Sequence, residues 1–490
     1  MARWLLALAL LAAAAPARAQ SSSPDEQARR LLEDGRTYRS EGKSKQALDN
    51  FNTIVTGFQG TDSVDDALLE IGRYYLDVEG DDEKARQAFE QVAKRFPQSD
   101  GAPGAYYYLG WLALSRARTS AELDDALAQF TRVQRLYPGS AWVPKALYAA
   151  GLAHRKAGRL PDAVESERRV AMEYPTSEAA AAAQFEVGEG LALLGEPRQA
   201  MEEFQQVRNR FPRSEWAPRA LERITALYRL YGSGKPAFTL DSAYAAGSGD
   251  VLKDVRAILM TPAGTLWIAS DKVKSVVPVG QDGKLGASLT AVEVRGLSLA
   301  PRGDLVVAAR TAVRLGPRDI HTFSIPGAKP GAVEPVDRIE AAVVTPGGAV
   351  LVADEKRKRV HRYDAKYDYK ADFPDAKERE VTRMAVDTEG GIVLLDRGER
   401  SVHVFDETGR LLRSLGPRSD MRKPMDVAVD AFRNVYVIDE EAGVLVFSPQ
   451  GQLLASVGSQ DLRKPRALTV DASGAVLVYD EKAQRILRFK

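Results

Sequence analysis

Self-similarity at a fixed period decides an architecture before composition does. Two families of internal repeat fill this 490-residue chain and meet near residue 235. The first runs over residues 24–231 and is marked by Ala, an aromatic four positions later, an aliphatic three after that, and a proline five further on. Ala85, Phe89, Val92 and Pro97 fit it, as do Ala126, Phe130, Val133 and Pro138, and Ala200, Phe204, Val207 and Pro212. Ala163, Val170 and Pro175 fit with Glu167 in the aromatic slot, and Ala47, Phe51 and Ile54 fit without the proline. Steps of four and three keep these side chains on one helical face. A glycine precedes each alanine, by twelve residues at Gly35, Gly151 and Gly188 and by slightly more at Gly72 and Gly110. Small residues at such positions let the two helices of a hairpin approach, with the aromatic filling the space beside them.

The period is about 37 residues, and the connectors read aromatic-Pro-x-Ser: Phe96 to Ser99, Tyr137 to Ser140, Tyr174 to Ser177 and Phe211 to Ser214. Proline stops one helix, and the serine is expected to N-cap the next. These spacings resemble the tetratricopeptide repeat. The long connector is similar to that of its periplasmic sub-class, which includes the helical component of the outer-membrane β-barrel assembly machine and the Tol-Pal-associated cell-division coordinator. The resemblance implies an all-α solenoid of about five hairpins with a closing helix at 215–231, and protein partners in the envelope. It departs from the first relative in having no cysteine to carry a lipid, and from the second in having no long N-terminal coiled coil.

Gly232-Ser233-Gly234-Lys235-Pro236 is a breaker-rich linker. Beyond it, residues 237–490 repeat a strand, a Pro- or Asp-led glycine turn, a second strand and a third. The turns begin at Pro262, Pro301, Pro346, Asp387, Asp430 and Asp471, spaced 39 to 45 residues apart. Six such units predict an all-β six-bladed propeller. The last unit ends at Lys490 one strand short, and the unplaced stretch 237–241 is expected to supply that strand and remove an exposed edge. Units three to six, with their Ala-Val-Asp and Val-x-Val-Phe elements, resemble NHL repeats; units one and two have drifted.

Composition places the chain more than it explains it. Formal net charge is +1, from 68 basic and 67 acidic residues, which removes the electrostatic case for nucleic acid or an anionic membrane surface. With no cysteine, disulfides, thiolate metal sites and a cysteine nucleophile are out of reach. Arg3, the eleven-residue apolar run Leu5 to Ala15 and the small-x-small triplet Ala17-Arg18-Ala19 read as a signal peptide over residues 1–19, cut before Gln20. No later segment has transmembrane length, so a periplasmic or secreted mature protein is expected.

Chemistry-bearing residues are few. His321, His361 and His403 read as one position on the third strands of adjacent blades; other blades carry Val277, Leu445 and Leu487 there, so packing is expected. Asp354, Asp396, Asp439 and Asp480 end second strands, where such a residue hydrogen-bonds the local backbone. No nucleophile elbow, zinc-binding helix or phosphate-cradling glycine loop is present. The expectation is therefore no catalytic residue, no cofactor, no metal and no enzyme activity. The alternative is a metal-dependent propeller hydrolase or lyase, resembling the lactonases, with a helical targeting domain.

Two binding surfaces are expected instead. In the array, Leu69, Tyr107, Trp111, Lys145, Tyr148, Leu152 and Phe185 sit at first-helix positions suited to a groove for a protein segment. In the propeller, Arg256, Arg295, Arg338, Arg383, Arg422, Lys423, Arg463, Lys464 and Arg466 fall on segments that share one rim. Arginine at a channel mouth suits carboxylate or phosphate, so a second partner or an anionic envelope ligand is expected there. The function this implies is an exported interaction scaffold.

Overall fold

The structure is a computed structural model that describes residues 23–117, 119–232, 238–329, 331–415 and 421–490. The expected signal peptide, linker residues 233–236 and Ala237 lie outside the described residues. The chain divides into two compact units, the first ending at Ala179 and the second running from Ala180. Helices precede strands throughout: an α-solenoid is followed by a six-bladed β-propeller.

The first unit holds α1 (Pro24–Ser40), α2 (Ser44–Gly57), α3 (Ser63–Tyr74), α4 (Asp82–Arg95), α5 (Ala102–Arg116), α6 (Ser120–Leu136), α7 (Val143–Lys156) and α8 (Leu160–Glu173), paired as hairpins. Each second helix buries its repeat motif completely: Phe89 and Phe130, with Val92 and Val133, are sealed from solvent. The glycines explain the pairing. A Cβ built on Gly110 would lie 2.6 Å from the Phe130 ring, so each aromatic of a second helix occupies the place a first-helix side chain would need. Gly35 and Gly72 face Phe51 and Phe89 in the same way. The fourth hairpin keeps the geometry with different chemistry. Glu167 is fully buried against Gly151, and Arg155 Nη2 donates to its carboxylate at 2.8 Å.

The connector serines close turns and do not cap helices. Each donates its N–H to the carbonyl of the aromatic three residues back, as in Ser99 to Phe96 at 3.0 Å and Ser140 to Tyr137 at 2.9 Å. The residues at the N-caps of α5 and α7 are Gly101 and Trp142, so the expected capping role passes to the turn. Side-chain caps occur where the entry is open: Ser23, Asp81, and Thr119 in a reciprocal box with Glu122.

The second unit begins with α9 (Ala180–Leu193), α10 (Pro197–Arg210) and α11 (Trp216–Leu227), in which Gly188 faces the ring of Phe204 at a built-Cβ distance of 2.7 Å. It continues into the six blades. Their inner strands are Val255–Met260, Val294–Leu299, Ile339–Val344, Val381–Val386, Pro424–Val429 and Pro465–Val470. Blades one to five have four antiparallel strands and blade six has three, with a small hairpin (Ser324–Pro326 with Val333–Pro335) between blades two and three in the chain, where Arg357 of blade three donates to Pro335 O and pairs with Glu334. Along the chain's end, Thr239 and Lys490 exchange both backbone hydrogen bonds at 2.9 Å, and Asp241 N–H reaches Arg488 O at 2.8 Å. That pairing gives blade six its outer edge and joins the start of the barrel to its end.

Helix α11 and the turn after it pack on the propeller. Arg229 Nη1 donates to Ser473 O at 2.7 Å and Tyr231 OH donates to Asn434 Oδ1 at 2.8 Å. Ala226 lies so near Gly474 that a Cβ there would sit 3.0 Å away. Leu230 and Tyr231 belong to the same apolar cluster as Tyr436, Val478 and Phe489.

Candidate functional site

One backbone feature builds the mouth of the propeller channel. Every inner strand pairs its first residue with the end of the second strand, then slips by one residue. The skipped residue of such a bulge is turned out of the ladder and its side chain is re-aimed. In blade order these six residues are Arg256, Arg295, Glu340, Thr382, Met425 and Arg466. The next residue inward is Ala257, Gly296, Ala341, Arg383, Asp426 and Ala467. A ring of mixed charge thus stands over a throat of small residues broken at two adjacent blades.

Those two exceptions pair. Arg383 Nε lies 3.2 Å from Asp426 Oδ1, and Asp426 also accepts from the N–H groups of Val427 and Leu468, both at 2.9 Å. Burial pushes the Asp426 carboxyl up from its ordinary value, with Arg383 opposing. The Arg383 guanidinium crosses the throat, and its Nη2 donates to Arg256 O in blade one at 3.3 Å. Inside this bar the channel is a cavity of about 370 Å³ lined by Ile258, Leu297, Ala342, Met384, Val427 and Leu468, with Ser298, Thr469, Asp430 and Asp471 among its polar groups. Arg223 of α11 stands at its turn-side end, over the Phe432 ring at 5.6 Å.

The other rim residues are present at the mouth but mostly engaged. Arg256 holds Asp271 at 2.8 Å, Arg422 and Lys423 hold Glu441, and Lys464 and Arg466 hold Glu481. Arg295 and Glu340 are 3.8 Å apart, and burial raises the Glu340 carboxyl. Arg338 is exposed and Arg463 uses its backbone N–H on Asp480. The rim is therefore an alternation of charge and not a bare basic patch. Arg397, which also reaches the mouth, was missed in the sequence because it follows a second strand and only the fold brings it beside Arg295 and Arg383.

The strand-end aspartates have local partners. Asp439 accepts four backbone N–H groups, from Arg422, Lys423, Glu441 and Ala442, and Asp480 does the same with Arg463, Lys464 and Ala483. His361 is clamped between Asp372 at 2.7 Å and Asp354 at 3.3 Å, holding a site on the third strand of blade three. His403 takes the same register position in blade four. His321 does not: it lies on the outer strand Asp319–His321, because the third strand of blade two is the short Ala312–Leu315, and it stacks on Tyr367. Among the described residues, Asp396, Glu399 and His403 have metal-ligand proximity, as do Asp65, Asp66 and Asp100. The first group already surrounds a cation, since Arg379 Nη1 reaches Glu399 at 2.7 Å and His403 Nε2 at 2.8 Å.

In the first unit, Tyr107 and Trp111 of α5 stack at 6.5 Å, and Tyr107 meets Trp142 at 5.2 Å. Burial pushes the Tyr107 hydroxyl up to about 12. Trp111 remains 39% exposed. Lys145 sits over the Trp142 ring at 5.4 Å and pairs with Glu178, while Tyr148 and Leu152 are half-buried on α7. Leu69 is buried in the core of its hairpin and offers no groove surface. Phe185 lies in the second unit, buried against Phe204 and Trp216. Trp142, absent from the expected set, sits in a connector where the repeat pattern gives no signal.

Residues 70–231 match the model of the YfiO family, described as outer membrane lipoprotein. No protein of curated function matches the chain. Solved structures similar to it include a streptogramin B lyase (10% identity, 52% of this chain and 97% of that one, TM-score 0.39). Virginiamycin B lyase from Staphylococcus aureus follows at 13% identity, 51% and 85% coverage and TM-score 0.39. Hydrazine synthase of Kuenenia stuttgartiensis aligns at 11% identity, 51% and 98% coverage and TM-score 0.37. Likeness of this degree says nothing of chemistry. No helix among the described residues is long and apolar enough to cross a membrane.

Proposed function

We propose that the protein is an exported, non-enzymatic interaction scaffold of the bacterial cell envelope. Its helical array holds a protein segment and its propeller is a second binding module. The observation that carries this reading is the aromatic group of Tyr107, Trp111 and Trp142, with Trp111 left 39% exposed, inside the stretch that matches an outer membrane family. Rigid aromatics bring contact area at little entropic cost and are the usual anchors of peptide recognition. A leader over residues 1–19 would deliver the chain to that compartment.

A photo-crosslinking side chain placed at Leu152, on the half-buried face of α7, tests the reading in intact cells. A discrete protein adduct is expected, with its yield falling about tenfold on Trp111→Ala, the loss of one anchor. No adduct, or one indifferent to Trp111, overturns it. A lyase or hydrolase reading would be favoured by metal bound in stoichiometric amount to purified protein, and elemental analysis reads that directly.

A further inference from the structure

We infer that the mouth of the propeller channel binds a small monocarboxylate with a short aliphatic body. The inference rests on the scaffold reading only in taking the propeller as a binding module, and it names the ligand class of that module. The mouth encloses a cavity of about 170 Å³ separate from the channel below the Arg383 bar. Four guanidiniums converge on it from blades one, two and four: Arg256, Arg295, Arg383 and Arg397. Glu340 is the one carboxylate among its lining residues. Asp271 and Asp426 hold Arg256 and Arg383 from beside it. Four guanidiniums thus face a single lining carboxylate, Glu355 acts on that carboxylate from outside the lining, and Arg397 has no carboxylate within ion-pair distance among the described residues.

The hydrogen-bond accounting points the same way. Arg295 Nε and Thr382 Oγ1 are buried polar atoms without a hydrogen-bond partner among the described residues, and both belong to residues that line this cavity. Buried donors left unmade are costly, and a site that collects two of them beside a cluster of guanidiniums is short of an acceptor. A carboxylate supplies two oxygens in the plane that a guanidinium fork recognises. One negative charge suits Arg397, which has no ion-pair partner among the described residues. The remaining wall is Val294, Pro424 and Met425, which suits a few methylenes and gives an uncharged polar body nothing to bond. Beneath the carboxylate the throat is barred by Arg383, so the ligand stays in the mouth and the 370 Å³ channel is not its site.

Isothermal titration calorimetry on the full mature chain tests this with butyrate, butyramide and inorganic phosphate as probes. Saturable binding of butyrate is expected, with none for butyramide, which keeps the body and loses the charge. Arg295→Lys keeps the charge and loses the fork, and about tenfold weaker binding is expected from it. Arg397→Gln, at an exposed residue outside the ladder, should weaken binding comparably while leaving the unfolding temperature unchanged. Absence of saturable butyrate binding overturns the inference, as does tighter binding of phosphate than of butyrate, or binding by either variant as tight as the parent's. None of these outcomes alters the adduct at Leu152, so the mouth and the scaffold reading fail separately.

Discussion

Arg383 and Arg256 face each other across the propeller channel, and the guanidinium of the first donates to the backbone carbonyl of the second at 3.3 Å. The same side chain neutralises Asp426, which is almost wholly buried. Removing one partner of a buried pair costs more than removing both, because the survivor keeps its charge without compensation. Arg383→Met is therefore expected to destabilise the propeller by about 3 kcal/mol, and Arg383→Met with Asp426→Leu to recover most of that loss. Urea unfolding followed by tryptophan fluorescence from Trp267 measures both.

The Glu167–Arg155 pair poses the matching question in the array. Glu167 stands where other second helices have a phenylalanine, against Gly151. Glu167→Ala should cost about 3 kcal/mol, since it removes the buried carboxylate that Arg155 pairs with and opens a cavity. Glu167→Phe with Arg155→Leu should match or exceed the parent stability, read as the midpoint of the helical circular-dichroism transition.

Thr239 and Lys490 close the barrel through paired backbone bonds. Thr239→Pro removes one donor and should lower propeller stability by about 1 kcal/mol. Hydrogen exchange should then accelerate at Asp241 and in the strand Arg485–Phe489 first. Asp241→Asn, which weakens the pair with the exposed Lys490 and keeps an oxygen for the Ala243 N–H, should change little.

Tyr231 ties the last helical turn to blade five through Asn434, which in turn donates to Asp430 at 2.8 Å. Tyr231→Phe leaves Asn434 Oδ1 without this donor and should cost about 1 kcal/mol. The expected readout is faster hydrogen exchange across α11 with blades one to three unaffected.

Acid sensitivity should come first from His403. Burial, then Arg379, lowers its pKa, and Nε2 accepts from Arg379 while Nδ1 contacts Ser414 Oγ. A histidine kept neutral in the fold binds its proton more readily when unfolded, so stability is full above about pH 6.5 and falls as pH drops toward the lowered value. His403→Gln should flatten that limb of a stability–pH curve. Asp354, held down to about 2 with His361 and Arg357 as partners, acts lower: its contribution is lost only below its ordinary 3.8.

The architecture was legible because each repeat repeats its own physics. A glycine opposite an aromatic and a turn every 39 to 45 residues are local patterns, and they specify a solenoid and six blades without any long-range contact. The roles of the rim residues were not legible. Arg256, Glu340 and Met425 share a place at the channel mouth only because all are bulge residues, and a bulge leaves no composition mark. The connector serines misled for a related reason, since a serine before a helix caps it or closes the preceding turn depending on a single backbone angle. His321 was placed one strand too early because blade two shortens its third strand to Ala312–Leu315.

A solenoid ordinarily keeps a free face at each end, where a duplicated repeat can be added without disturbing the rest. Here the turn after α11 is built into blade five and six through Leu230, Tyr231 and Arg229. That end has no vacancy left. A hairpin inserted after α11 would have to reproduce the Tyr231–Asn434 and Arg229–Ser473 contacts. The register of α11 on blades five and six is thereby set by these two hydrogen bonds and by the apolar cluster around Leu230.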